Sequence, residues 1–458
     1  MARVRPGGAG PGGRRGRAGR RAIGWSAGLA FALIVVGPPG AAARQGGAPA
    51  EAPAPLVPDF LAREGTGTSW VPDDTPMFAV MRRWRGWGVM LHGNAFLQVV
   101  AEDTARHRTG GDRRMQVSGT EWGMAVLRRP LAGGRVGVRA MLSAEPWTVG
   151  DCGYLNVLAT GETCDGDTIH DRQHPHDALM ELAVDYVRPL GGAWRWQVYG
   201  AASGEPALGP GGFPHRVSAM GLPTAPIAHH WLDATHVSFG VVTAGLASPR
   251  WKLDASAFNG REPDERRAGL EVAPLDSVSG RLSFAPSARV SLQASAGHLR
   301  EAEAEPGSTR RFDLTRATAS AAFHRTAADG TLWATLAAWG VNVGREPIDG
   351  VPVRFATHAV LVESARVGAR STWVARAEVV GKPAHDLHAH EFGAAVFTVA
   401  RLAAGYTRHF PPRRHVVAGL GGVVSASVVP SGLAPRYGGR VVPGVTVFLH
   451  LRPAPHVM

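Results

Sequence analysis

This 458-residue sequence predicts an all-β fold, an antiparallel transmembrane β-barrel of about 14–16 strands. Three observations carry that expectation: an export leader, period-two alternation in segments of about ten residues, and short turns that alternate with long excursions.

The leader comes first. Seven arginines lie between Arg3 and Arg21, followed by an apolar core over residues 22–36 and by Ala41, Ala42 and Ala43. A basic region, an apolar core and a small-residue cleavage site make a secretory signal peptide, read as residues 1–43 with maturation near Arg44. A single anchoring helix is the alternative, weakened because the apolar run is short and interrupted by Gly and Ser. Arg20 and Arg21 lack the rest of a twin-arginine motif. Taking the seven arginines from the formal +12 leaves about +5, so most of the basicity belongs to targeting, and nucleic-acid recognition loses its main support. Beyond residue 40 nothing approaches the roughly 18 continuous apolar residues of a spanning helix, so a membrane location means strands.

Residues 44–84 read as a Pro/Ala/Gly-rich linker or periplasmic segment, ending in an amphipathic patch at Met77, Phe78, Val80, Met81 and Trp84. From about Trp87 the alternation begins, and the barrel is placed at residues 85–454. Val290, Leu292, Ala294 and Ala296 alternate with Ser291, Gln293, Ser295 and Gly297. Trp251, Leu253, Ala255 and Ala257 alternate with Lys252, Asp254 and Ser256, and Trp373, Ala375, Ala377 and Val379 with Thr372, Arg376 and Glu378. Charged residues occupy the alternate face. A soluble sandwich gives the same pattern; the leader, the segment length and the strand number favour the barrel. Short turns at residues 286–288 and 327–330 are set against longer excursions near 103–113, 144–177, 203–233, 260–275 and 343–354. Val445, Val447, Leu449 and Leu451 form a closing strand, although the chain continues past it without a terminal aromatic residue.

Cys152 and Cys164 flank a loop-like stretch, and an exported protein meets an oxidising compartment where such a pair closes. Their spacing is not a usual zinc spacing. There is no Gly-rich phosphate loop, no Gly-x-Ser-x-Gly elbow and no His-Glu-x-x-His motif.

Two blocks carry the chemistry. Residues 170–177 read His-Asp-Arg-Gln-His-Pro-His-Asp, and residues 229–236 read His-His-Trp-Leu-Asp-Ala-Thr-His. The proline between His174 and His176 favours extended backbone, which points residues two apart the same way. His174, His176, Asp177, His229, His230, Asp233 and His236 are therefore the candidate ligands of a divalent transition metal, with an imidazole-rich mix that suits zinc, copper or nickel better than magnesium or calcium. His170, Glu181, Asp185, His215, Met220 and the run 385–391 are possible outer contributors. A hydrogen-bonded network that ties loops to a barrel wall accounts for the same residues without metal. A barrel-borne hydrolase would need Ser238 beside His236 or Ser218 beside His215, and neither pair has a recognisable signature.

Several stretches are similar to a largely uncharacterised group of bacterial outer-membrane β-barrel, porin-like proteins. They are residues 160–163 (Thr-Gly-Glu-Thr), 171–177 with 180–183, 204–210, 225–231 with 233–236, and 258–264, together with the closing region near Val429, Pro430, Ser431, Tyr437 and Gly438. The resemblance spans roughly residues 80–454 and implies a barrel in the outer membrane; it attaches no activity. The reading from sequence is a non-enzymatic pore for small solutes, surrounded by outer-membrane lipid, with His/Asp clusters at the lumen or rim. The alternatives are a barrel that binds or transports Zn, Cu or Ni, a hydrolase, and a soluble periplasmic metal-binding β protein.

Overall fold

The structure is a computed structural model that describes residues 63–104, 115–150, 152–304, 310–348 and 351–456; the expected leader lies outside the described residues. Sixteen antiparallel strands form a closed barrel, from Trp87–Glu102 to Val441–Pro453, and these two pair with each other, Ala101 opposite Val445. The expected alternation sets the two faces. Trp251 and Leu253 are exposed on the outside while Lys252 and Asp254 are buried, and Trp373 and Val379 face out where Arg376 and Glu378 face in. An apolar outer belt thus surrounds a charged interior, as a strand wall in lipid requires.

The short connections between Leu179–Gly191 and Trp194–Gly204 and between Arg311–Thr326 and Leu332–Ile348 lie at one end. Trp84, Trp194, Trp251, Trp333 and Trp373 ring that turn end on the outside, with Trp251 stacked on Phe284 at 4.1 Å and Trp373 against Tyr406 at 4.6 Å. Such a girdle sits where lipid meets water. The long connections share the other end. One expected excursion, 343–354, is strand over its described residues: 343–348 and 351–354 continue two paired strands, with Gly344 opposite Phe355 and Ile348 opposite Val351. Pairing persists past the apolar belt there because the register simply extends from Val341 and Val343 into Arg345 opposite Arg354.

The barrel is filled by its own chain. From the turn end, residues 63–75 thread inward, their contacts drawn from at least six strands. Glu64 accepts from Arg128 at 2.7 Å and Arg135 at 2.9 Å, Lys252 donates to the Thr68 carbonyl at 2.5 Å, and Arg281 to the Thr68 hydroxyl at 2.9 Å. Ser291 donates to the Trp70 carbonyl. Met77–Phe78 then pairs with Pro455–His456, and Val80–Trp84 with the start of the first barrel strand.

From the loop end, two excursions fold inward. The first contains the hairpin Tyr154–Cys164 and Asp167–Gln173, which pairs only with itself and whose Cys152 and Cys164 are joined by a disulfide. The second spans residues 205–237 and includes the helical turn His229–Leu232. Val157, Leu158, Ile227, Trp231 and Leu232 pack with Ala338, Ala359, Leu361 and Val380 of the wall. Full burial of such side chains contributes roughly 1.5–3 kcal/mol each, which fixes the loops against the strands. Gly340 makes the contact possible, since a Cβ there would lie 2.3 Å from the Trp231 carbonyl. The hairpin is strained: Cys152, Leu158, Glu162, Asp165 and Asp171 all have positive φ, half of the ten such non-glycine residues described. Strain of this kind persists only where surrounding contacts over-determine the backbone, and it gathers at functional sites.

Candidate metal centre in the lumen

The two histidine blocks, far apart in sequence, meet inside the loop end. His174, His229 and His230 each offer a ring nitrogen such that the three atoms lie within 4.8 Å of one another. A filled tetrahedral site with Zn–N of about 2.0–2.1 Å would hold such atoms about 3.3 Å apart, so a modest closure suffices. His176 and His236 adjoin them, with ring centroids 5.1 Å apart, and His229 lies 5.2 Å from both His230 and His236. Phe213 covers His176, His229 and His236.

Four of the five rings are hydrogen-bonded through Nδ1, His174 to the Pro175 carbonyl at 3.2 Å, while Nδ1 of His176 lies beside an acid without a hydrogen bond. Glu262 lies 2.9 Å from Nδ1 of His230, Asp233 2.9 Å from that of His229, Glu145 2.9 Å from that of His176 and Glu162 3.2 Å from that of His174, while His236 donates Nδ1–H to the Asp233 carbonyl at 2.8 Å. An imidazole whose Nδ1–H is donated carries its lone pair on Nε2. The Nε2 atoms of His174, His176, His230 and His236 are buried with no hydrogen-bond partner. In His174, His230 and His236 these are buried acceptors facing no donor, costly as plain structure because each forfeits a hydrogen bond it would make to water.

The electrostatics favour the ligand form. Burial, with Arg267 and the neighbouring imidazoles, pushes His174 well below the usual range; burial does the same to His236 and brings His229 to about 4 although Asp233 opposes it. These three rings are neutral at pH 7. In His176 burial is outweighed by Glu145, and its value is raised. Against burial, Arg216 and then His229 hold Asp233 well below the carboxylate range; Arg216 bridges it to Glu363, at 2.5 and 2.7 Å.

The structure sorts the expected ligands. His174, His176, His229, His230 and His236 come together. Asp233 orients His229 and takes a hydrogen bond from Arg216, so it stands behind the rings. Asp177 lies 3.7 Å from Arg267 at the margin, its carboxyl pushed by burial up to about 8. Glu181 accepts from Tyr199, and Asp185 pairs with Arg139, apart from the cluster. His388 of the late run lies against His170 at 3.7 Å, while His385 and Asp386 of that run line the cleft beside His230. Met220 packs beside the cluster of Phe96 and Leu222. Neither serine contacts its histidine: Ser218 donates to Glu363 and Ser238 to the Thr235 carbonyl. Sequence reasoning missed Glu145, Glu162, Glu262, Arg216 and Arg267. Glu162 and Glu262 stand inside the resembling stretches, and a search for carboxylates near each long loop would have found them.

One glycine is required. Gly161 has φ +111°, and a Cβ on it would lie 2.2 Å from the His230 ring. A cleft lined by Gly161, Glu162, His230, Glu262 and Asp386 opens beside that ring.

No family model and no curated protein matches this sequence. Solved structures match in outline. The outer membrane channel DcaP of Acinetobacter baumannii is 11% identical over 81% of this chain and 99% of that one, with a TM-score of 0.48. In-vitro folded OmpT, an outer membrane protein of Vibrio cholerae, is 8% identical over 82% and 100%, at 0.45. An anion-selective porin from Comamonas acidovorans is 11% identical over 80% and 99%, also at 0.45. These values describe a shared barrel outline.

Proposed function

We propose that the protein is an exported outer-membrane barrel channel whose lumen is closed by its own loops around a divalent transition-metal site. His174, His229 and His230 supply the first ligands, with His176 and His236 alongside, and zinc, copper(II) or nickel are the ions this donor set suits. One observation carries the reading: His174, His230 and His236 are hydrogen-bonded through Nδ1, and each presents a buried Nε2 that nothing else uses. Carboxylates behind the rings fix the tautomer and raise ligand basicity, as they do around resident metals. Passage of the ion, or of another small solute, requires the two inward loops to part.

The test is elemental analysis and titration of the refolded full chain in detergent with zinc, copper(II) and nickel. Tight stoichiometric binding is expected, and lost when His174, His176, His229 and His236 are all alanine, in a barrel that still shows heat-modifiable mobility. Unchanged titration in that folded variant removes the site. Absence of binding to the unaltered chain leaves the clusters as loop-fixing networks and general solute permeation as the function.

A further inference from the structure

A second group of donors lies outside this centre. The sequence has only 10 methionines, and four of them, Met90, Met124, Met141 and Met180, pack in one cluster with Trp122 and Val237. The strand register assembles them. His92 stands opposite Met124, and Met124 opposite Met141. Met141 in turn stands opposite Glu181, beside an irregularity in pairing that brings Met180 inward as well. The row therefore crosses four adjacent strands on the inner wall. His215 descends on it from the loop segment 205–237: its Nε2 lies 3.1 Å from the Met141 sulfur, its ring 5.4 Å from His92 and 4.2 Å from Trp122. The Nε2 of His92 is buried without a partner.

The chemistry differs from that of the five-imidazole centre. There each ring is backed by an acid or a carbonyl; here, among the described residues, no carboxylate is hydrogen-bonded to His92 or His215. The donors are two imidazoles and polarisable thioethers, all neutral, on a wall that also carries Arg128 and Arg139. Such a set has little to offer a doubly charged ion and suits a soft ion of low charge. A plain apolar core at these positions would need neither a ring nitrogen lacking a partner nor a thioether, a weak acceptor, facing an imidazole.

We infer that His92, Met141 and His215, with Met124 and Met180 beside them, form a second site that binds a soft monovalent cation of the copper(I) or silver(I) class. The site stands independently of the divalent centre. It adds that the metal handled in this lumen is one with an accessible soft state.

The test is anaerobic titration of the refolded full chain with copper(I) in competition with a chromogenic copper(I) chelator, and with silver(I) by calorimetry. Stoichiometric binding is expected. The volume-conserving Met141→Leu and Met124→Leu changes together weaken it at least about 100-fold, beyond the roughly 10–100-fold that loss of a partner behind the ligands costs, while zinc binding at the five-imidazole centre stays unchanged. Retained zinc binding also shows that the variant is folded. Copper X-ray absorption on the unaltered protein gives an answer that needs no variant: sulfur neighbours are expected, and an all-nitrogen environment overturns the inference. So does full copper(I) affinity in the methionine variant, or copper(I) binding that disappears only in the quadruple histidine variant, which places the ion at the other centre. Loss of zinc binding alone sinks the divalent centre and leaves this site standing.

Discussion

The two ends of the lumen are filled in opposite ways. At the turn end, Glu64 is surrounded by Arg128, Arg135 and Arg139, so that a buried acid meets several buried bases and each charge has a counterpart. At the loop end, neutral rings are held by acids on one edge and left with unused nitrogens on the other. Ion-paired burial is stable only when complete, because a missing partner leaves an uncompensated charge. Ring nitrogens with a lone pair and no donor are instead complementary to something that is not protein. The difference separates a part that locks the thread in place from the part proposed above as a ligand site.

The comparison breaks most visibly at Glu64. Glu64→Gln leaves Arg128 without its acid and Arg135 and Arg139 to share Asp185, and is expected to destabilise the inserted thread by about 3–5 kcal/mol, read as protease cleavage within residues 63–75 and a change in Trp70 fluorescence. Loop-end metal binding should persist. A thread that stays protected would show that the ion pairs are not what holds it. The same residue predicts a pH effect. Although burial alone raises a carboxyl, Arg135, Arg128 and Arg139 bring Glu64 down to about 2 from 4.5. A depressed value stabilises the folded state above the unfolded pKa, so the thread's protection should be full above about pH 4.5 and fall as pH drops towards 2. Protection that falls as pH rises instead would contradict the assignment.

A smaller effect is expected from the disulfide. Replacing Cys152 and Cys164 with serine should loosen the hairpin by somewhat under ~3 kcal/mol on the chain-entropy model, seen as faster hydrogen exchange in residues 154–173 with the barrel strands unaffected. Uniform exchange across wall and hairpin would mean that the loop end is no separate unit. The smallest is Gly161→Ala, whose Cβ displaces the His230 ring; a roughly tenfold loss of divalent affinity, about 1.4 kcal/mol, is expected, with the barrel still folded although φ +111° strains the hairpin. Unaltered affinity would take His230 out of the ligand set.

How much of this is legible in sequence depends on whether the signal is local. Alternation around Trp251 or Trp373 reports the wall directly, because one residue in two must face lipid. The histidine blocks are legible for a similar reason, being dense within eight residues each. The thread is not: residues 63–75 have no periodicity, since they are held by individual hydrogen bonds to Thr68 and Glu64 rather than by a repeating face. Glu145, Glu162 and Glu262 come from three separate stretches and become partners only once the loops fold inward. Met124, Met141 and Met180 each read as an ordinary inward apolar position, and only the register across their strands turns them into a row. Residues 343–354 misled because their polar sequence reads as a loop while the hairpin goes on pairing above the apolar belt.

The wall is sealed where its first strand meets its last, Ala95 to Glu102 against Leu451 to Gly444. That seam joins segments from opposite ends of the described chain, so in order of synthesis it is the last contact to become available. Residues 63–75 precede every strand of the wall and finish enclosed by it. Assembly thus has a natural sequence in which the thread is present before the seam shuts and the strands wrap around cargo already laid down. A barrel closed first would have to admit the thread afterwards through its narrow end.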